Sequence, residues 1–229
     1  RPLVIAVFLQ ALDLGLLGLM QFAPTVVLTL IVGHVADRYD RRRIAGICQV
    51  IEGSAAAVLA LGTAMGWLDR GTIFALVAIS ASARAFEWPT MAALLPSLVP
   101  RGMLPSATAW ATTANQLAQI GGPALGGFLY ALSPAGAFVT PCVLFLLAAL
   151  MTTQLPAAVP VRQVGGTTLA SLFSGFAFVS SRRLLLGVLS LDLFAVLFGG
   201  AVALLPIYAR DILMTGPWGL GLLRAAPAL

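Results

Sequence analysis

Residues 33–43 read Gly-His-Val-Ala-Asp-Arg-Tyr-Asp-Arg-Arg-Arg, and they separate two long apolar runs. Upstream, residues 14–32 are 19 positions without a charge. At about 1.5 Å rise per residue that run nearly crosses a hydrocarbon core of about 30 Å. Downstream, residues 44–68 carry no charge except Glu52. Between the runs, residues 37–43 place six charges in seven positions, four of them Arg. A chain that leaves lipid, turns on a Gly, shows four Arg and re-enters lipid marks its cytoplasmic side. Each crossing must satisfy its own backbone hydrogen bonds, so the runs are expected to be helices.

The chain is 60% hydrophobic and 9% charged, where a soluble domain carries about 25% charged residues. Lipid is therefore the solvent for most of it. The net charge of +5 comes from Arg alone, mostly in loops. That pattern sets orientation and is not a nucleic-acid footprint. Cys48 and Cys142 lie inside apolar runs and read as small packing groups. His34 is the only His, which leaves no His-based metal site or catalytic triad. With no Lys, no phosphate-binding Gly-Lys-Ser/Thr loop can form. The composition thus argues against an enzyme, a cofactor and a resident metal.

Eight apolar segments can be drawn: 2–12, 14–32, 44–67, 72–93, 106–132, 137–155, 184–208 and a start from 216. The first is too short to span, and the chain is expected to be a piece cut at both ends. Residues 1–155 read as an N-terminal six-helix bundle with a truncated first helix, 156–183 as a cytoplasmic linker, and 184–229 as the start of a second bundle. Within the linker, residues 168–181 have near-helical apolar spacing, either an interfacial amphipathic helix or an irregular linker. Arg counts of eight against two place the loops after segments two, four and six in the cytoplasm. Residues 18–24 echo residues 221–227 with four identities in seven at an offset of 203. Two parallel six-helix halves produce such an offset.

These features resemble the major facilitator superfamily, and more narrowly the bacterial exporters similar to the enterobactin exporter. The loop pattern Gly-x-Leu-x-Asp-Arg-x-Gly-Arg-Lys/Arg is met by Gly33, Asp37, Arg38, Arg41 and Arg42. Val35 and Asp40 depart from it; Asp tolerates left-handed geometry better than most residues. The resemblance implies an all-α polytopic bundle in which this loop latches the two halves; a purely topogenic basic loop is the alternative. Gln119 to Gly127 resembles the Gly-Pro motif of the superfamily's antiporters. Gly122 and Gly126 form a small-xxx-small face, Pro123 permits a bend, and Gly127 completes the run. That motif points toward export, or else is a packing face alone.

Four further positions are candidates for the pathway. Arg84 lies 13 residues past Gly71, about 20 Å into the core, and Glu87 three residues on can pair with it. The pair exchanges a proton or is static. Asp192, eight residues past Leu184, is the expected proton or cation carrier, unless it is tied to nearby hydroxyls. Glu52 is at a similar depth but reads as structural, since its helix is peripheral in the superfamily. Asp13 is expected at the outer surface. Asn115, Gln116 and Gln119 read as substrate contacts or as polar ties between helices. The expected function is secondary active export of a small amphipathic molecule, drug- or siderophore-like, with protons as the coupled ion. The expected setting is a monomer in the bacterial inner membrane. An uptake carrier or facilitator of the same fold, or a non-transporting scaffold or sensor, stays open.

Overall fold

A computed structural model describes residues 13, 15–28, 32, 35, 39–156, 180–198 and 205–226. Its elements are α1 (Gly15–Leu28), α2 (Arg41–Met65), α3 (Arg70–Leu98), α4 (Leu104–Leu132), α5 (Pro134–Gln154), α6 (Arg183–Phe198) and α7 (Pro217–Ala225). A short helical turn, Leu205–Ile207, and a π-helical turn, Tyr208–Ile212, precede α7. No strand occurs among the described residues. The polytopic α-helical fold expected from the sequence is the one observed. The 25, 29, 29 and 21 residues of α2 to α5 give lengths of about 30–45 Å, each enough to cross the bilayer core.

Punctuation residues set the helix ends. Asp40 caps α2, its carboxylate accepting the Arg42 amide N–H at 3.0 Å. Its φ of −61° and ψ of 112° are extended, so the left-handed geometry that Asp tolerates is not used. Capping also starts α2 at Arg41, three residues before the apolar run. Gly66, at φ 73°, closes the same helix, with its N–H on the Gly62 carbonyl at 2.9 Å. Asp69 caps α3, and Ser133 caps α5 ahead of Pro134. Asp13 pairs with Arg70 at 3.3 Å, at the α2–α3 turn.

The interior is built from small side chains. Eight of the eleven buried apolar residues described are Ala, and only Leu94 and Thr90 are larger side chains fully enclosed. Large apolar groups such as Leu117, Leu125, Leu144 and Leu147 face outward. Water would penalise that arrangement; lipid does not, and close backbone approach then drives helix packing. The α2 seam, through Ala45, Gln49, Glu52, Ala56 and Ala60, is buried against α3 and α5. Gln49 accepts the Thr152 hydroxyl at 2.9 Å across the α2–α5 contact. Of the helix expected over 168–181, residues 168–179 lie outside the described residues, and 180–181 are helical.

Candidate functional site

A cavity of about 790 Å³ opens between α1 and α3. Gln21 and Thr25 line it from α1, and Ser80, Arg84, Trp88 and Pro89 from α3. Pro89 has no N–H for the α3 ladder, and its helix continues to Leu98. The Arg84 side chain is 68% exposed on this wall. Its Nη2 donates to Glu52 Oε2 at 3.1 Å, and the Glu52 side chain is only 2% exposed. Glu52 Oε1 is buried with no hydrogen-bond partner. The Glu87 carboxyl lies close enough to interact with Glu52, and Cys48 sits buried one turn before Glu52 on α2. The cluster therefore holds one guanidinium and two carboxyls across the α2–α3 seam.

This corrects the expected Arg84–Glu87 pair: among the described residues Arg84 pairs with Glu52 instead. An i,i+3 pair with the cation N-terminal is the weaker helical orientation. Glu52 faces Arg84 directly from the neighbouring helix. The signal was in the sequence: Glu52 stands fourteen residues before Gly66 and Arg84 fourteen after Arg70, so both lie at one depth from one turn.

Of the Arg-rich loop, Gly33, Asp37 and Arg38 lie outside the described residues. Arg41 Nη1 donates to the Ala93 carbonyl of α3 at 3.1 Å. Arg42 Nη1 donates to the Leu155 and Thr153 carbonyls, at 2.7 and 3.3 Å, where α5 ends. Both guanidiniums meet carbonyls near the C-terminal ends of neighbouring helices, where a cation is favoured. An Arg run at this place can reach carboxylates, helix C-termini or lipid phosphates, and these two reach helix C-termini.

The Gly-Pro motif packs α4 against α7. A Cβ on Gly127 would meet the Pro217 carbonyl oxygen at 2.5 Å, and one on Gly221 the Pro123 carbonyl oxygen at 2.6 Å. Gly122 and Gly126 would meet nothing within 4 Å. The contact face is therefore Pro123/Gly127, one residue on from the Gly122/Gly126 face read from spacing. Gly126 instead lines a cavity of about 610 Å³ beside the seam. Gln119 donates to Asn115 at 3.2 Å along α4, and Gln116 is exposed there. None of those three lines the Arg84 cavity, and neither does Asp192, which is exposed on α6.

Residues 10–228 match a family model described as transmembrane secretion effector. An MFS-type transporter of Bacillus subtilis (strain 168), YkuC, is 26% identical over 149 residues, 65% of this chain and 34% of its own. Macrolide efflux protein A of Streptococcus pyogenes is 25% identical over 146 residues, 64% of this chain and 36% of its own. Macrolide efflux protein A of Enterococcus faecalis is 27% identical over 135 residues, 59% and 41% of the two chains. The matched region spans about two-fifths or less of these relatives.

Proposed function

We propose, for a chain that belongs to the transmembrane secretion effector family of the major facilitator superfamily, that the whole protein exports a small amphipathic molecule by proton antiport. The observation that carries this reading is the Glu52–Arg84–Glu87 cluster, which meets the 790 Å³ cavity through Arg84. With both carboxyls ionised the cluster has one negative charge in excess. One proton neutralises it, and so does one cationic group of a substrate. A site that either can neutralise, but not both together, exchanges one for the other. The apolar wall and Trp88 suit the lipophilic part of such a molecule. The macrolide efflux relatives support export and the amphipathic class. The remaining parts of the reading are twelve helices in two parallel halves, alternating access, a monomer, and the Arg-rich end of α2 facing the bacterial cytoplasm.

Everted membrane vesicles carrying the full-length protein test it. An imposed interior-acid gradient should drive accumulation of an amphipathic cationic dye. Glu52→Gln should abolish gradient-driven accumulation and weaken dye exchange too, since it fixes the cluster in its neutral state. Wild-type accumulation by Glu52→Gln would remove the cluster from coupling. Asp192→Asn in the same assay then decides whether the α6 carboxyl carries the proton instead. Accumulation indifferent to the gradient would favour a facilitator.

A further inference from the structure

Arg43, Ile47 and Ile51 stand one helical turn apart along α2, and both Ile side chains are exposed. They form a ridge with a groove on each side. Against α3 the groove is about 600 Å³, closed by Ile79 and Phe86. Against α5 it is about 650 Å³, closed by Leu146 and Leu150. Arg43, Ile47 and Ile51 line both. Arg43 lies in the first turn of α2, with the Ile residues about 6 and 12 Å further along the axis. Two apolar channels thus run from one guanidinium into the depth of the membrane.

The charges at this mouth are distinct in use. Arg41 and Arg42 turn inward onto carbonyls of α3 and α5. Asp40 accepts the Arg42 amide at 3.0 Å and faces the Arg42 Nε at 3.8 Å. Arg43 is 79% exposed, and its contact with Asp40 is a long one, 3.9 Å through Nε.

We propose that this ridge is a binding site for one anionic phospholipid, its phosphate on Arg43 and one acyl chain in each groove. Two chains joined at one phosphate match two grooves joined at one guanidinium. The planar guanidinium suits a phosphate diester bidentately. Asp40 is already engaged by Arg42, so the site offers little to the ammonium of a zwitterionic headgroup.

The test is native mass spectrometry of the purified full-length protein, delipidated and then offered equal phosphatidylglycerol and phosphatidylcholine. Wild type should retain phosphatidylglycerol about five-fold over phosphatidylcholine, the factor one interfacial Arg contributes toward anionic lipid. Arg43→Gln should bring that ratio to near unity. Arg70→Gln, at a side chain 76% exposed at the opposite end of α2, should leave it unchanged. Gly46→Leu should lower retention of both lipids, because Gly46 lines the α5-side groove and a Cβ there meets nothing within 4 Å. Equal retention by wild type, a preference surviving Arg43→Gln, or no retained lipid would each overturn the assignment. The last outcome would mean that another part of the protein covers the grooves.

Discussion

The α4–α7 seam makes a prediction whose sign depends on a single residue of register. Gly→Ala within a helix is favourable by about 0.5–1 kcal/mol from backbone entropy alone. At Gly122 and Gly126 nothing opposes that gain, since an added Cβ has open space. At Gly127 the Cβ would stand 2.5 Å from the Pro217 oxygen, about 0.9 Å inside ordinary contact, and at Gly221 it meets the Pro123 oxygen at 2.6 Å. Both obstacles are backbone, so the helices must separate, and overpacking of this kind costs about 1–3 kcal/mol. Gly127→Ala and Gly221→Ala are therefore expected to be destabilising by up to about 2 kcal/mol net, and Gly122→Ala to be neutral or mildly stabilising. On a chain of this size a loss of about 2 kcal/mol is about 4–8 °C in thermal midpoint, smaller for the longer whole protein. Fluorescence-detected size-exclusion after a heating series in detergent reads the midpoints, all taken at one heating rate because irreversible unfolding makes midpoints rate-dependent. A drop at Gly122→Ala or Gly126→Ala with none at Gly127→Ala would refute the register and restore the face read from spacing.

Three further outcomes follow from the same geometry. Removing one member of the Glu52–Arg84 pair should cost about 1–3 kcal/mol, the lower end for an Arg so exposed. The double mutant should cost less than the sum, and additive midpoints would count against the pair. Asp40→Ala should lose about 1 kcal/mol of cap while Asp40→Asn retains most of it, so equal losses would point away from capping. Asp69 is held below the usual carboxylate range by the Thr72 hydroxyl and by the Thr72 and Gly71 amides. A depressed folded pKa gives stability that is present above about pH 4 and lost as pH falls through the folded value. Thr72→Ala should thus flatten the fall in thermal midpoint between about pH 5 and 3, and an unchanged slope would dismiss the Thr72 contact.

The helices were legible because lipid imposes a simple rule on sequence. Runs free of charge and about 20 residues long are helices, and Gly, Pro, Ser and Asp mark their ends. The segment at 72–93 grew at both ends, because Asp69 caps it and Pro96 does not stop it. The site was less legible because its chemistry is shared between helices. Spacing along α3 offered Glu87 to Arg84, yet only pairing across the turn brings Glu52 to it. The reading of Glu52 as structural rested on where its helix lies in the superfamily, not on which way its side chain points. The Gly run showed close packing but not its register, which α7 decides through Gly221.

Two kinds of helix contact coexist here, and they differ in how readily they can slide. The α2–α5 contact is tied by the buried Gln49–Thr152 hydrogen bond and by Arg42 on the Leu155 carbonyl. The α2–α3 contact is tied by Glu52–Arg84 and by Arg41 on the Ala93 carbonyl. Shifting either by a helical turn would strand the buried Gln49, Thr152 or Glu52 away from its partner, at several kcal/mol each. The closest approach of α4 to α7 has a different character: backbone meets backbone at Gly127 and Gly221. Little directional bonding at that point resists a small rotation. On the alternating-access reading, α2, α3 and α5 move as one body, and the α4–α7 seam is where the two bodies rock. The coupling carboxyls then belong on the tied side of that division, because a proton can reset the balance between states only if its site is held rigidly in each.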